Sequence, residues 1–319
     1  MRSLPKESVG NIRWYHLAAI GTVAIWGTTF VSTKILLLHG LTPAEIMFYR
    51  FLIAYVVIWF LIPRPLKARN FRDELLLAAA GVCGGSLYFL TENSALQFTL
   101  VTNVSLIICT TPLLTALLAR LLNRNERLKP EQTAGSLLAF GGVALVVFNG
   151  SFILRINPAG DLLVLWAALS WASYTLLVRR LEKHYSAPFI TRKVFFYGLL
   201  TLSPAFCFTP FRLQTVLSSS PLVWGNLLFL GLVASLGCFL MWNIVVKHLG
   251  PVKANNYIYT TPLVALMTSV LVLDEPLTGI ALCGAGLILC GVWLAEKGLP
   301  FGRGKLLSPI RIRQENDRI

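Results

Sequence analysis

Apolar residues in this chain gather into runs about as long as a membrane is thick, and polar residues fall into the short breaks between them. The runs lie at Trp14 to Leu38, Ala44 to Ile62, Leu75 to Ala95, Val101 to Leu122 and Gln132 to Phe148. A second series follows at Leu162 to Val178, Phe189 to Phe208, Leu222 to Val246, Val252 to Leu273 and Leu277 to Ala295. A helix rises 1.5 Å per residue, so about twenty residues cross the roughly 30 Å of hydrocarbon in a bilayer. A membrane β-barrel would instead alternate apolar and polar residues in short segments. The pattern therefore predicts an all-α polytopic membrane protein with ten transmembrane helices. The first run is expected to be a retained anchor helix, since it is longer than the apolar stretch of a secretory signal and lacks a small-x-small cleavage site.

Composition supports that solvent: 55% of the 319 residues are apolar and 13% charged, so lipid surrounds most of the chain. The net charge of +14 could suit nucleic acid, but its residues sit in short clusters between apolar runs. The partners they imply are the anionic headgroups of membrane lipids, and no nucleic acid. Assigning the loops alternately to two sides puts twenty-two Lys and Arg residues on one side and only Arg155 and Arg212 on the other. Positive charge marks cytoplasmic loops, and one missed or invented helix in the middle would erase the asymmetry. A multi-pass chain with both termini in the cytoplasm and a basic tail over 298–319 is expected. The six cysteines (Cys83, Cys109, Cys207, Cys238, Cys283, Cys290) fall inside apolar runs with no CxxC pair, so they are expected to be buried, inert thiols, with no metal site and no cofactor. The four histidines, His16, His39, His184 and His248, lie at helix ends, in solvated interfacial positions.

The chain also matches itself at an offset near 150 residues. Thr110, Thr111, Pro112 and Leu113 recur as Thr260, Thr261, Pro262 and Leu263. Upstream, Gly81, Phe89, Leu90 and Asn93 recur as Gly231, Phe239, Leu240 and Asn243. Downstream, Glu126, Leu128, Gly135, Leu138, Gly142 and Val143 recur 149 residues on as Glu275, Leu277, Gly284, Leu287, Gly291 and Val292, and Trp26 pairs more weakly with Trp171. Five is an odd number of spans, so a duplicated five-helix unit enters the membrane from opposite sides in its two copies. Two inverted five-helix repeats give a molecule two near-equivalent conformations, the geometry that alternating access uses.

Polar residues inside the runs are the candidate chemistry. Pro112 and Pro262 each remove a helix hydrogen bond directly after two threonines whose hydroxyls can occupy backbone acceptors, so both helices should kink there, as hinges or as packing kinks. The small residues after Glu126 and Glu275 suit close helix packing. Arg50 and Glu92 lie about 9 Å and 5 Å below the outer ends of their helices and can pair with one another or face a cavity. Lys34 can snorkel to the outer interface, and Arg192 and Lys193 can reach headgroups at the inner end of theirs. Gly81, Gly85, Tyr88 and Glu92 make one polar stripe; Asn255 and Tyr259 share a face with Pro262, with Asn256 turned away. Trp26 with Thr22, Thr29 and Thr33 makes another, and Trp171 with Tyr174 a further one. The expected cavity-lining, solute-binding set is Trp26, Arg50, Tyr88, Glu92, Asn103, Trp171, Tyr174, Asn255 and Tyr259, with Pro112 and Pro262 as hinges.

The segment from Ser94 to Val147 and its partner from Val245 to Ala295 resemble the EamA-type repeat of the drug/metabolite transporter superfamily. The resemblance rests on the central prolines Pro112 and Pro262, on Glu126 and Glu275, and on the paired glycines Gly135 and Gly142, Gly284 and Gly291, and it covers essentially the whole chain. AIWGTTF around Trp26 is close to the family's usual opening, while LSWASYT around Trp171 replaces Gly27 with Ala172. The resemblance implies a bacterial inner-membrane carrier with a central cavity, handling amino acids, related metabolites or drugs, often as an exporter, and no catalytic residue. It divides the chain into repeats over 1–149 and 160–297.

The expected function is a secondary transporter of a small organic solute, driven by a coupling proton or ion or by the solute's own gradient, since no GxxxxGK loop is present to bind ATP. A membrane-embedded enzyme needs HExxH, GxSxG or paired aspartates in the spans, and none occurs; a flippase for a lipid-linked solute shares the repeat architecture. Reporters fused to the first and last residues should both register the cytoplasm, and finding them on opposite faces would overturn the span count.

Overall fold

A computed structural model describes residues 9–63, 67–98, 101–122, 130–148, 158–208, 211, 220–264, 267 and 278–297. Every regular element among them is helical. In chain order they are α1 (Val9–Leu38), α2 (Pro43–Leu61), α3 (Phe71–Phe98), α4 (Val101–Ile108), α5 (Thr111–Leu122) and α6 (Pro130–Phe148). There follow α7 (Pro158–Leu181), α8 (Ala187–Leu202), α9 (Pro221–Leu249), α10 (Pro251–Asn256) and α11 (Gly279–Lys297). Five of them, α2, α3, α7, α9 and the stretch Ile12–Leu38 of α1, are long and apolar enough to cross a membrane. The fourth apolar run is split into α4 and α5 just ahead of Pro112, and α8 gives way at Pro204 to a 3-10 turn, Ser203–Cys207.

Local sequence sets the helix starts. Thr42 caps α2 by accepting the Glu45 amide at 3.2 Å while Glu45 accepts the Thr42 amide at 2.8 Å, with Pro43 in the first helical turn. Gly40 and Gly250 stand at φ +87° and +84° in the turns that follow α1 and α9, a region that side chains with a Cβ rarely adopt. The most extensive helix contact joins α6 to α11. A Cβ on Gly135 would fall on the backbone of Gly291 and Ala295, and one on Gly291 on the backbone of Gly135 and Ala139. Gly142 likewise meets the Gly284 carbonyl. The repeated glycines therefore let two helices meet backbone to backbone, as expected for small residues in a membrane.

Packing is reciprocal between the halves elsewhere too. Gly81 of α3 lies against Tyr197 of α8, and its counterpart Gly231 of α9 lies against Ile53 of α2. Asn93 donates to the Pro43 carbonyl of α2 at 3.2 Å, and its counterpart Asn243 donates to Thr191 of α8 at 2.8 Å.

Three cations expected at headgroups find protein partners instead. Lys34 donates to the Leu96 carbonyl in the last turn of α3 at 2.9 Å. Arg192 donates to Ile62, the carbonyl at the end of α2, at 2.8 Å, and Lys193 forms an ion pair with Glu74, which Tyr197 also reaches. Helix ends expose acceptor carbonyls, and where another helix ends nearby a long basic side chain caps it rather than reaching for lipid. The thiols also differ from expectation: Cys109 and Cys238 are buried, but Cys207, Cys283 and Cys290 are exposed on the outside of the bundle, all of them unpaired. In lipid an outward face is apolar, so an apolar run does not imply a buried thiol. Of the histidines, His16 reaches the Tyr257 hydroxyl at 2.6 Å and His248 stacks on Tyr15 at 3.9 Å.

Glu182, just past the end of α7, is 7% exposed, and neither of its carboxylate oxygens has a hydrogen-bond partner among the described residues. Burial pushes its carboxyl from 4.5 up to about 8 against the pull of Arg179 and Lys247. The folded state then holds a proton that the unfolded chain has released, so stability falls as pH rises between those two values.

Two stability measurements on detergent-purified protein follow. Gly291→Ala should lower the melting temperature, through overpacking worth roughly 1–3 kcal/mol, whereas Gly286→Ala, whose Cβ would meet nothing within 4 Å, should not. Glu182→Gln should raise stability above the folded-state value near pH 8 and leave it unchanged at the acidic end of the window. An equal shift at both ends would assign the effect to packing.

Candidate functional site

The site grows from two proline breaks. Pro112 has no amide hydrogen, so the ladder cannot run through it, and α4 ends at Ile108 before α5 begins at Thr111. Thr110 fills part of the gap by donating to the Ile107 carbonyl at 2.7 Å. The second copy repeats the device: a 3-10 turn, Tyr257–Thr260, precedes Pro262, and Thr260 donates to the Tyr257 carbonyl at 2.7 Å. The two breaks touch, the Cys109 thiol lying 3.7 Å from the Ile258 carbonyl it donates to.

Two further irregularities are π-helical turns. Val82–Ser86 interrupts α3, and Phe229–Gly237 interrupts α9 over the equivalent residues. A π turn leaves carbonyls with displaced donors, and such turns gather at functional sites. Here the donors come from the other half of the chain. Ser170 of α7 donates to the Cys83 carbonyl at 2.8 Å, and Trp26 of α1 donates through Nε1 to the Ala234 carbonyl at 3.0 Å.

Between breaks and turns lies a cavity. Trp26, Thr29 and Phe30 of α1, Arg50 of α2, and Tyr88, Phe89 and Glu92 of α3 line one part of it. Ile108, Thr111, Trp171, Phe239, Ile258 and Thr261 line the rest. Trp26 and Trp171 meet edge to face at 5.0 Å, and Tyr88 and Phe239 pack on Trp171 at 5.1 and 5.6 Å. Arg50, 2% exposed, donates through Nε to Ser235 at 2.9 Å and sits 4.1 Å over the Phe89 ring. Glu92, 7% exposed, accepts the Tyr88 hydroxyl at 2.8 Å. The two charges face one space, but the ion pair between them that the sequence allowed does not form. Trp171 Nε1 and the Thr111 hydroxyl have no hydrogen-bond partner among the described residues. The space itself is about 40 Å³, room for a few waters.

Five of the expected cavity residues, Trp26, Arg50, Tyr88, Glu92 and Trp171, thus come together. Tyr174 stands one layer behind, its ring 5.0 Å from that of Trp171 and its hydroxyl donating to Asn243 at 2.8 Å; Gly84 of the π turn leaves the room for that ring. Asn255 and Tyr259 do not line the cavity. Both are buried, Asn255 donating to Thr115, and Ile258 and Thr261 line the cavity in their place. The reason is the 3-10 turn: its period of three aligns positions 258 and 261, whereas the expected face assumed 3.6 residues per turn. Asn256, expected to turn away, is buried as well. Asn103 lies on α4, with its side chain outside those described. Pro112 and Pro262 are buried one residue past the lining Thr111 and Thr261. The lining residues not singled out in advance include Phe89 with Phe239, Ile108 with Ile258 and Thr111 with Thr261, each pair 150 residues apart, so the repeat itself carried their signal.

Residues 13–148 and 158–296 each match the EamA-like transporter family. An uncharacterized transporter of Archaeoglobus fulgidus is 28% identical over 88% of this chain and 96% of its own length. A probable amino-acid metabolite efflux pump of Escherichia coli is 24% identical over 88% and 94%, and a probable terminal-alkyne amino-acid exporter of Streptantibioticus cattleyicolor 25% identical over 88% and 92%. One solved crystal structure superposes with a TM-score of 0.70 at 19% identity, covering 88% of this chain and 97% of that one, a likeness of fold. With both halves matched, the chain belongs to the EamA-like transporter family.

Proposed function

We propose that this chain is a secondary carrier that exports a small organic solute of the amino-acid type across the bacterial cytoplasmic membrane by alternating access. In this reading it has ten spans in two inverted five-helix repeats, over 1–149 and 160–297, with both termini in the cytoplasm. One observation carries the solute class: Arg50 and Glu92 are buried beside one aromatic cavity without pairing. Burial of a lone charge is costly. A zwitterion removes both costs, its carboxylate against the guanidinium and its ammonium against the carboxylate. Trp26, Trp171 and Phe239 offer faces for an apolar or planar side chain, and the orphaned Trp171 and Thr111 groups offer donors. The names of the Escherichia coli and Streptantibioticus relatives point the same way.

A space of about 40 Å³ must widen before such a solute enters. Pro112 and Pro262 are the hinges in this reading, because the ladder is already broken beside the lining. Glu92 is the group for a coupling proton, since a carboxylate in the cavity can exchange a proton for the solute's ammonium.

The test begins with the compound whose cellular level changes when the protein is deleted, followed by its uptake into liposomes holding the purified chain. Arg50→Gln should lower uptake roughly tenfold to a hundredfold, as expected for about 1.5–3 kcal/mol from a hydrogen bond to a charged group, with the melting temperature showing that the variant folds. Glu92→Gln should make uptake indifferent to a pH gradient. Unchanged pH dependence would remove Glu92 from coupling, and uptake no faster than through empty liposomes would count against transport.

A further inference from the structure

A second, larger cavity lies at the end of the bundle where α3 begins and α7 ends. It has about 320 Å³ of room, and its walls are Asn70, Arg72, Asp73 and Leu76 on one side and Arg180, Leu181, Lys183 and His184 on the other. Arg72, Arg180 and Lys183 have no hydrogen-bond or ion-pair partner among the described residues. The single carboxylate in the lining, Asp73, is already engaged: it accepts the Tyr185 hydroxyl at 2.7 Å and the Asn70 side chain at 3.4 Å. Arg69 adds positive charge behind His184, to which it lies at 3.2 Å. Three unpaired cations thus share one space with one committed anion.

The walls are also held in place before any ligand arrives. The Arg69 amide donates to the Tyr185 hydroxyl at 2.9 Å, and Tyr185 stacks on Phe189 at 4.9 Å. Asn70 accepts the Asp73 amide at 2.8 Å and so fixes the first turn of α3. Walls from the two halves of the chain are therefore joined by direct bonds, so a ligand has only the exposed side chains of Arg72, Arg180 and Lys183 left to order.

We propose that this cavity binds a phosphate group, its oxygens taken by the guanidiniums of Arg72 and Arg180 and the ammonium of Lys183. Two guanidiniums offer paired donors to phosphate oxygens, and the ammonium a point charge. Two sources carry that chemistry: the headgroup of an anionic phospholipid, for which Leu76 and Leu181 supply an apolar floor, and a free phosphate or phosphate ester in solution. The inference is independent of what the central cavity carries, since none of its residues lines that space.

The full-length protein can be melted in nanodiscs of phosphatidylcholine with and without a minor fraction of phosphatidylglycerol, and in detergent with and without inorganic phosphate. Phosphatidylglycerol should raise the melting temperature by several degrees, and native mass spectrometry should show it retained. Both effects should disappear in the variant carrying Arg72→Gln, Arg180→Gln and Lys183→Gln. They should persist in a charge-matched control carrying Arg13→Gln, Arg120→Gln and Lys253→Gln, positions outside the cavity. If the triple variant does not fold, Arg180→Gln and Lys183→Gln taken singly should each lose part of the shift. Stabilisation by inorganic phosphate with the same dependence on these residues would assign a soluble source, and stabilisation by phosphatidylglycerol alone the lipid. Equal responses of the cavity variant and the control, or no response to either probe, would overturn the site.

Discussion

In hydrocarbon every backbone N–H and C=O must find its partner within the protein, and among the described residues this chain leaves the regular α-helical ladder at four places that correspond between its halves. Two are the breaks ahead of Pro112 and Pro262; two are the π turns Val82–Ser86 and Phe229–Gly237. The breaks are mended locally by Thr110 and Thr260, and the π turns from across the molecule by Ser170 and Trp26. That second repair has a consequence for shape. A carbonyl freed in the first half is satisfied by α7 of the second, and one freed in the second half by α1 of the first. The bonds that repair these two carbonyls therefore also tie the halves to each other around the space between them.

The space inherits its walls from the duplication and its polarity from divergence. Phe89 and Phe239, Ile108 and Ile258, and Thr111 and Thr261 are equivalent pairs in its lining, and Trp26 and Trp171, the weaker match, meet edge to face beside them. The charged side has no such pairing. The positions 150 residues after Tyr88 and Glu92 hold Cys238 and Trp242, so the hydrogen-bonded Tyr88–Glu92 pair exists in one half only. Arg50, the third polar group, is seated by Ser235 of the other half, where the first half has Gly85. A strictly symmetric cavity would present like groups in pairs. Loss of symmetry at these few positions places a guanidinium and a carboxylate on one apolar frame.

Much of this was legible in the sequence for physical reasons. Membrane thickness fixes the length of apolar runs, and the absence of a proline N–H fixes where the ladder must fail, so the breaks and their threonine repairs could be read from Thr110 to Pro112 and Thr260 to Pro262. That the glycines after Glu126 and Glu275 serve close packing followed from their spacing; that they bring α6 against α11 came from the structure. What could not be read depended on neighbours distant in sequence. Lys34, Arg192 and Lys193 were assigned to lipid because nothing in the chain announces that the end of another helix lies within their reach. Asn255 and Tyr259 were placed on the cavity by a 3.6-residue period that the 3-10 turn replaces over four residues. The π turns left no signal except the glycines Gly81, Gly84 and Gly231, which read equally well as packing residues.

The distribution of backbone contact also says which parts of the molecule can move. None of the described side chains of α6 or α11 lines the cavity, and those two helices meet through glycines whose neighbours are backbone atoms. Backbone-to-backbone contact leaves no side-chain rotamer to absorb a displacement, so this pair behaves as one rigid unit. Much of the lining sits instead beside interrupted ladders, Tyr88, Phe89 and Phe239 just past the π turns and Ile108, Thr111, Ile258 and Thr261 at the proline breaks, and single side-chain bonds such as Trp26 to Ala234 and Arg50 to Ser235 hold it. Exchanging bonds of that kind costs far less than separating α6 from α11. In the proposed cycle the walls of the cavity therefore part by movement of α3 and α9 at their π turns and of the segments around Pro112 and Pro262 at the proline breaks, with the glycine-packed pair as the fixed frame.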